Sequence, residues 1–219
     1  MSIIDIPRSL RPARYQTDAR VTASRSDSRV VLVTGATGFI GRHVCQRVLA
    51  AGDRLIVLTR NRGRANDLYG PNVRICTSLD EIGNECRIDA IVNLAGEPIF
   101  KRPWTRQRRA QLIESRLTIT QALIDLIARL EHKPDALVSG SAVGYYGVRG
   151  DEELSEIDRG QTIFQSQLCQ LWEMTAQKAR IHGVRVCMLR LGVVLGNEGG
   201  ALPQQKLAAR FGLTTVLGT

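Results

Sequence analysis

Three glycines spaced three residues apart, Gly35, Gly38 and Gly41, have the spacing with the clearest chemical meaning in this sequence. They follow the apolar run 30–33 and precede a helical pattern. In such a turn the first glycine permits a sharp change of direction, the second lets a phosphate approach the main chain, and the third lets the helix lie close to the strand. Unpaired amides at the start of a helix attract an anion. The pattern predicts a dinucleotide-binding turn, with an ordinary strand–turn–helix as the alternative.

The residues after the next apolar run, 55–58, bear on which dinucleotide would bind. An acidic residue at this place would hydrogen-bond the ribose hydroxyls of NAD, but the sequence continues with Thr59 and Arg60. A guanidinium at Arg60 can hold a 2′-phosphate through charge-assisted hydrogen bonds, and no carboxylate directly follows the strand. We therefore expect NADP rather than NAD. The alternative for Arg60 is a solvated surface arginine.

Strand and helix patterns alternate along the chain, and together they must position these residues. The predicted strands cover residues 30–33, 55–58, 73–76, 90–94, 136–139 and 184–190, and the predicted helices cover residues 42–49, about 105–131 and about 163–182. This alternation predicts an α/β fold with a doubly wound parallel sheet. Because ligands of such sheets bind beyond the carboxyl ends of the strands, the following loops should converge. These are the loops after Thr34, Leu58, Leu94, Ser139 and Leu191.

Composition excludes several classes of protein. The chain has 219 residues, 43% of them hydrophobic and 5% aromatic, which suits one domain with an aliphatic core. No apolar run is long enough to cross a bilayer, and no signal-peptide pattern is present, so we expect no membrane association. The five cysteines are odd in number and contain no C-x-x-C pair, which predicts neither a metal site nor a disulfide framework. A cytoplasmic location follows as the expectation.

The formal charge of +9 raises the possibility of nucleic-acid binding. Six arginines stand in the first 29 residues, and a second basic cluster includes Lys101, Arg102, Arg106, Arg108 and Arg109. Neither group has interleaved aromatic residues or a nucleic-acid motif, so we expect no nucleic-acid partner. We expect an anionic cofactor, an anionic substrate and a solvated face to account for the excess.

Residues 1–28 are rich in Arg, Ser, Asp, Thr and Pro, and they lack a sustained periodicity. Such a segment is expected to be a disordered tail. Its Arg and Ser content loosely resembles an organelle transit peptide, although Asp5, Asp18 and Asp27 are unusual there. Residues 29–219 then form the single folded domain.

Several segments carry a more specific resemblance. They are residues 34–41 (Thr-Gly-Ala-Thr-Gly-Phe-Ile-Gly), 101–105, 114–116, 141–147, Leu168-Cys169 with Trp172-Glu173, and 190–196. From about residue 29 to 219 the chain resembles the extended short-chain dehydrogenases/reductases, which include NAD-dependent epimerases and dehydratases. Within them it resembles the atypical "epimerase family" proteins, which are similar to sugar-nucleotide epimerases. The resemblance implies a Rossmann fold. Because relatives of this type continue beyond residue 219 to build most of the substrate lobe, we expect that lobe to be largely missing here.

The resemblance also assigns roles to residues. Ser141 matches the superfamily's catalytic Ser/Thr, which hydrogen-bonds the substrate oxygen, and Tyr145 is the preferred second member of an oxygen-polarising pair. The expected cofactor contacts are Thr34, Gly35, Thr37, Gly38, Phe39, Ile40, Gly41, Arg60, Asn93, Ala95, Gly96 and Ser139. A turn cap is the alternative role for Ser141, and packing is the alternative for Tyr145.

The chain departs from the superfamily at its usual Y-x-x-x-K pair, which the sequence lacks. In that pair the lysine lowers the pKa of the tyrosine that moves the proton. The helix expected to carry it offers Cys169, interpreted as packing with an acid as the alternative, and Glu173, interpreted as a helix-surface or ribose-contact residue rather than a general base. Two hypotheses remain. One is an NADP(H)-dependent oxidoreductase or epimerase acting on a small carbonyl or sugar-type substrate, and the other is a non-catalytic NADP(H)-binding sensor or partner-binding protein. The resemblance also implies pairing into a homodimer.

Overall fold

The computed structural model describes residues 28–99 and 102–210 of the protein. Six strands form its central sheet: β1 (Val30–Thr34), β2 (Arg54–Leu58), β3 (Arg74–Cys76), β4 (Ala90–Asn93), β5 (Ala136–Ala142) and β6 (Arg185–Leu191). Their order across the sheet is β3-β2-β1-β4-β5-β6, and every neighbouring pair is parallel. The predicted doubly wound parallel sheet is thus confirmed. The strand order reverses between β1 and β4, where such sheets open a ligand crevice.

Helices cover both faces of the sheet. They are α1 (Phe39–Ala50), α2 (Arg62–Tyr69), α3 (Arg106–Arg129), α4 (Phe164–Gln177) and α5 (Leu202–Arg210). One core cluster joins the sheet to α1 and α2 through residues such as Val33 and Cys45. The other joins it to α3 and α4 through residues such as Leu32, Ile124 and Ala176. Because alternate residues of β1 enter opposite clusters, all five of its residues are buried.

Helix boundaries differ from the sequence expectation for identifiable reasons. α1 begins at Phe39, since Gly38 takes the N-cap position and the helix starts inside the glycine motif. α2 was not predicted because it has no apolar stripe; Asn61 starts it by accepting a hydrogen bond from the Arg64 amide at 2.9 Å. The last predicted helix changes to a 3-10 turn at Lys178–His182 and stops at Gly183, whose φ is +79°.

A short antiparallel hairpin, β7 (Leu195–Gly196) and β8 (Gly199–Gly200), was also not predicted. It packs on the ring of Phe39, and a Cβ at Gly199 would lie 2.5 Å from that ring. Three expectations fall outside the described residues: the tail over residues 1–27, Lys101 of the basic cluster, and residues 211–219. Over the residues that are described, no helix has the length and apolarity needed to span a membrane.

Candidate functional site

The glycine loop joins β1 to α1 at the crevice between β1 and β4. Gly35 has a φ of +68°, and a Cβ there would lie 2.6 Å from the Leu94 carbonyl oxygen in the loop after β4. A Cβ at Gly41 would collide with the Gly35 carbonyl. A larger side chain at Gly41 would therefore push α1 away from the glycine loop, and one at Gly35 would push that loop away from the chain after β4.

Gly38 is exposed at the helix start, and a Cβ there would contact only the Gly35 carbonyl oxygen, at 3.1 Å. As the N-cap residue it provides no side chain to the first helical amides. Those amides are therefore open to an external anion, which the partial positive charge of the helix start would attract. Of the other expected contacts in α1, Phe39 turns its ring onto His43, at 5.0 Å between centroids, so its main chain is the part left for a ligand.

Thr34 and Asn93 are buried beneath the crevice and hold its two loops together. The Thr34 hydroxyl donates to Asn93 Oδ1 at 2.7 Å and accepts from the Leu94 and Ala95 amides, each at 3.2 Å. Asn93 Nδ2 donates to Thr120 Oγ1 of α3 at 2.9 Å. Because these polar groups are already paired, their role is to fix the Ala95 main chain rather than to present side chains.

Gly96 and Ser139 occupy similarly close-packed positions. A Cβ at Gly96 would lie 3.1 Å from the Arg116 guanidinium carbon, so the glycine lets that arginine cross the loop. Arg116 donates to the Glu97 carbonyl at 3.1 Å and lies over the Trp172 ring. Ser139 is fully buried in β5, and its hydroxyl donates to the Gly140 carbonyl at 3.3 Å.

Arg60 follows β2 and projects into solvent, with 94% of its side chain exposed. Its Nη2 lies 3.5 Å from Glu97 Oε1, and Arg108 Nη1 lies 3.3 Å from the other oxygen. No carboxylate directly follows β2, as the sequence shows, but Glu97 reaches Arg60 from the loop after β4. Partial burial opposes ionisation of Glu97, but Arg108 and Arg60 prevail and lower its pKa.

Ser141 lies at the end of β5 in a buried charged cluster. Its hydroxyl donates to Glu173 Oε1 of α4 at 2.6 Å, and the two residues are 3% and 4% exposed. Arg190 of β6 donates to both Glu173 oxygens, each at 2.9 Å. Glu173 is therefore an interior residue and not the helix-surface residue expected from sequence. Its burial is tolerated because the bidentate guanidinium and the serine hydroxyl satisfy the carboxylate.

Arg190 also organises the two tyrosines. Its guanidinium carbon lies 3.5 Å from the centroid of the Tyr145 ring, and its Nη1 donates to the Tyr146 hydroxyl at 2.9 Å. The hydrogen bonds to Glu173 raise the pKa of Arg190. Tyr145 thus lies beside the Ser141 cluster as a stacking partner of Arg190.

One signal in the sequence could have revealed this cluster. Arg190 follows the apolar run 186–189 of β6, and the strand register places it directly opposite the buried Ser141. A largely buried arginine at this place requires a partner of opposite sign, which α4 provides in Glu173. Cys169 of the same helix is 5% exposed, and burial raises the pKa of its thiol despite a hydrogen bond with Ser141.

Comparisons with known proteins agree with this architecture. The family model described as NAD dependent epimerase/dehydratase family matches residues 31–212. The epimerase family protein SDR39U1 homolog, chloroplastic, of Arabidopsis thaliana is 36% identical over 208 residues. That match covers 92% of this chain and 59% of the relative, so the chain spans about three fifths of that relative's length.

Two solved structures resemble the fold. Human epimerase family protein SDR39U1 (isoform 2) with NADPH has a TM-score of 0.70 and 33% identity, covering 84% of this chain and 60% of that one. The nucleoside-diphosphate sugar epimerase from Corynebacterium glutamicum has a TM-score of 0.69 and 30% identity, covering 84% of this chain and 38% of that one. Because the family model matches residues 31–212, which is most of this chain, the chain belongs to the NAD-dependent epimerase/dehydratase family.

Proposed function

We propose that this protein binds NADP(H) and takes part in hydride-transfer chemistry, of the oxidoreductase or epimerase type, on a small carbonyl or sugar-type substrate. The observation that carries the proposal is the glycine loop, where Gly35 lies close against the loop after β4, Gly41 lets α1 begin close to the glycine loop, and Gly38 stays exposed. This arrangement presents main-chain amides to a diphosphate. The resemblance to a protein solved with NADPH supports it.

Arg60 supports NADP rather than NAD as the preferred cofactor. Its guanidinium is exposed at the carboxyl end of β2, and its contact with Glu97 is long, at 3.5 Å. A 2′-phosphate carries more charge than this single carboxylate and offers several acceptor oxygens, so it would outcompete Glu97 for the guanidinium.

The Ser141 cluster supports a route for the proton. A bound nicotinamide would accept or supply the hydride. Since the Ser141 hydroxyl donates to Glu173, its oxygen is left to accept a proton from a substrate hydroxyl. As that proton arrives at Ser141, the serine's own proton passes to Glu173, and the substrate C–OH becomes a carbonyl as its hydride leaves. The reverse sequence reduces a carbonyl.

The second candidate, a non-catalytic NADP(H) sensor or partner-binding protein, is favoured by one observation. Ser141 is 3% exposed and already hydrogen-bonded to Glu173, so the pair also serves to fasten α4 to β5. In this case the cofactor would bind without being turned over.

Two measurements test the proposal. Calorimetric titration of the purified protein with NADPH should show binding, and absence of any affinity for nicotinamide nucleotides in a folded sample would overturn it. A panel of carbonyl compounds and nucleotide sugars should then reveal NADPH oxidation that is lost in Ser141→Ala. Tight NADPH binding without turnover across the panel would favour the sensor.

A further inference from the structure

Tyr69, the last residue of α2, reaches across to the glycine loop. Its hydroxyl donates to the Ala36 carbonyl oxygen at 2.6 Å, joining residues 33 positions apart. Ala36 is fully buried, while the next residue, Thr37, is partly exposed. This contact ties the inner side of the loop to α2.

The hydrogen bond on the inner side of the loop also orients a donor on its outer side. The Ala36 carbonyl and the Thr37 amide belong to one planar unit and point in opposite directions. Holding the carbonyl inward therefore holds the Thr37 N–H outward. The neighbouring Gly35 carbonyl is held in a similar way, since it accepts from the Gly38 amide at 2.9 Å.

The outward amide is available to a ligand. Within residues 28–99 and 102–210, the Thr37 N–H has no hydrogen-bond acceptor. With the loop's carbonyls occupied by donors on the inside, its exposed side presents the positive ends of peptide dipoles, which is the arrangement that binds anions.

The phenol is a dependable donor. Burial, together with the neighbouring Cys45 thiol, raises the pKa of Tyr69. Its hydroxyl therefore keeps its proton at physiological pH. The tyrosine ring also packs against the core cluster formed by β1, β2 and the helices on that face, which holds the hydroxyl in position.

We propose that Tyr69 is a positioning residue for the diphosphate site: by fixing the Ala36–Thr37 peptide, it preorganises the amide that binds the cofactor's phosphates. The proposal rests on the proposed NADP(H) binding. In this role Tyr69 contacts the loop on its buried side, at the Ala36 carbonyl, and acts on the cofactor only through the Ala36–Thr37 peptide.

Tyr69→Phe tests this role because it removes only the hydroxyl. We expect its dissociation constant for NADPH, measured by calorimetry, to rise about fivefold, which corresponds to about 1 kcal/mol. Adenosine 2′-monophosphate provides a second probe, since it carries the adenosine and 2′-phosphate but no diphosphate. Its affinity should be the same for Tyr69→Phe and the wild-type protein.

Val48→Ala is the matched control, because Val48 packs against the same core cluster but does not contact the loop carbonyl. It should lower the thermal midpoint at least as much as Tyr69→Phe while leaving NADPH affinity unchanged. An unchanged NADPH affinity in Tyr69→Phe, or an equal loss in Val48→Ala, would overturn the positioning role alone. Failure of the wild-type protein to bind NADPH would overturn the proposed function and the positioning role with it.

Discussion

At the scale of single residues, Arg60 gives the sharpest test of cofactor preference. Arg60→Ala removes the guanidinium expected to meet the 2′-phosphate, so we expect NADPH affinity to fall about tenfold, in line with a charge-assisted hydrogen bond. NADH affinity should stay within a factor of two or so, because NADH lacks that phosphate. Arg64→Ala, an exposed arginine of α2, is the matched control. Equal NADPH affinity in the wild type and Arg60→Ala would mean that another residue meets the phosphate.

Glu173 is the residue whose replacement should disturb the interior most. Glu173→Gln leaves the Arg190 guanidinium without its charge partner, and breaking a buried pair in this way costs about 3 kcal/mol of unfolding free energy. Urea denaturation would measure the loss. Glu153→Gln, at an exposed position, should cost less than about 0.5 kcal/mol. A Glu173→Gln protein as stable as the control would show that the ion pair contributes nothing net.

Sequence analysis identified Ser141 as a candidate site residue, but it did not predict that Glu173 and Arg190 form a cluster with it. Ser141 could be identified because it follows the predicted strand 136–139 and matches a family motif. Glu173 and Arg190 are far from it in the chain, and only the β5–β6 register and the packing of α4 bring the three together. The pattern of a single sequence can indicate that Arg190 needs a partner, but which residues meet it depends on tertiary structure.

At the scale of elements, the turn Leu79–Glu81 after β3 shows how one carboxylate can organise a connection. Glu81 accepts from the Thr77 amide at 2.7 Å, the Ser78 amide at 3.1 Å and Arg62 of α2 at 2.8 Å. With the Ser78 side chain it completes a capping box. The pKa of Glu81 is lowered from 4.5 to about 2, and the hydrogen bonds from Thr77 are the largest cause of this shift.

This shift gives a signed pH dependence. Because the pKa of Glu81 is lower in the folded state, its contribution to stability is present above about pH 4.5 and is lost as the pH falls toward 2. Glu81→Gln should therefore flatten the stability curve between these pH values, as followed by thermal unfolding at fixed ionic strength. Asp67→Asn on α2, whose carboxylate is exposed, is the control. An acid limb of the same slope in Glu81→Gln and the wild type would contradict the assignment.

Elements with strong periodicity were predictable and weakly amphipathic ones were not. The predicted strand at 30–33 matches β1 closely, and the predicted helix near 105–131 matches α3. Both could be predicted because burial on one or both faces requires apolar residues at regular positions. α2 buries only Ala65 fully, and its start depends on the Asn61 cap. The β7–β8 hairpin depends on contact with Phe39, so neither element leaves a periodic signal.

At the scale of the whole molecule, the excess of arginine has a structural explanation in addition to the two given above, which are an anionic ligand and a solvated face. Several arginines donate to main-chain carbonyls of other segments of the chain, most of them in loops or at the ends of elements. They are Arg62 to Ile75, Arg108 to Pro98, Arg116 to Glu97, Arg129 to Leu79 and Ile82, and Arg149 to Arg159. These arginines therefore have a structural role, which accounts for part of the basic excess.

The outer surface of α4 bears on assembly. Leu171 and Met174 are 39% and 65% exposed on this helix, which packs against α3 on one face of the sheet. Exposed apolar side chains on one helix surface suit an isologous contact, so we propose that two copies pair through α4 and the neighbouring α3.

Met174→Lys tests this pairing, because two ammonium groups brought together across a two-fold axis repel and lose hydration. We expect wild-type protein to sediment as a dimer and Met174→Lys to shift to the monomer mass at the same concentration, with its unfolding midpoint nearly unchanged. Ile157→Lys, at a 91% exposed position in the loop before α4, should remain dimeric. A monomeric wild type, or a dimer that survives Met174→Lys, would show that this helical surface is not the interface.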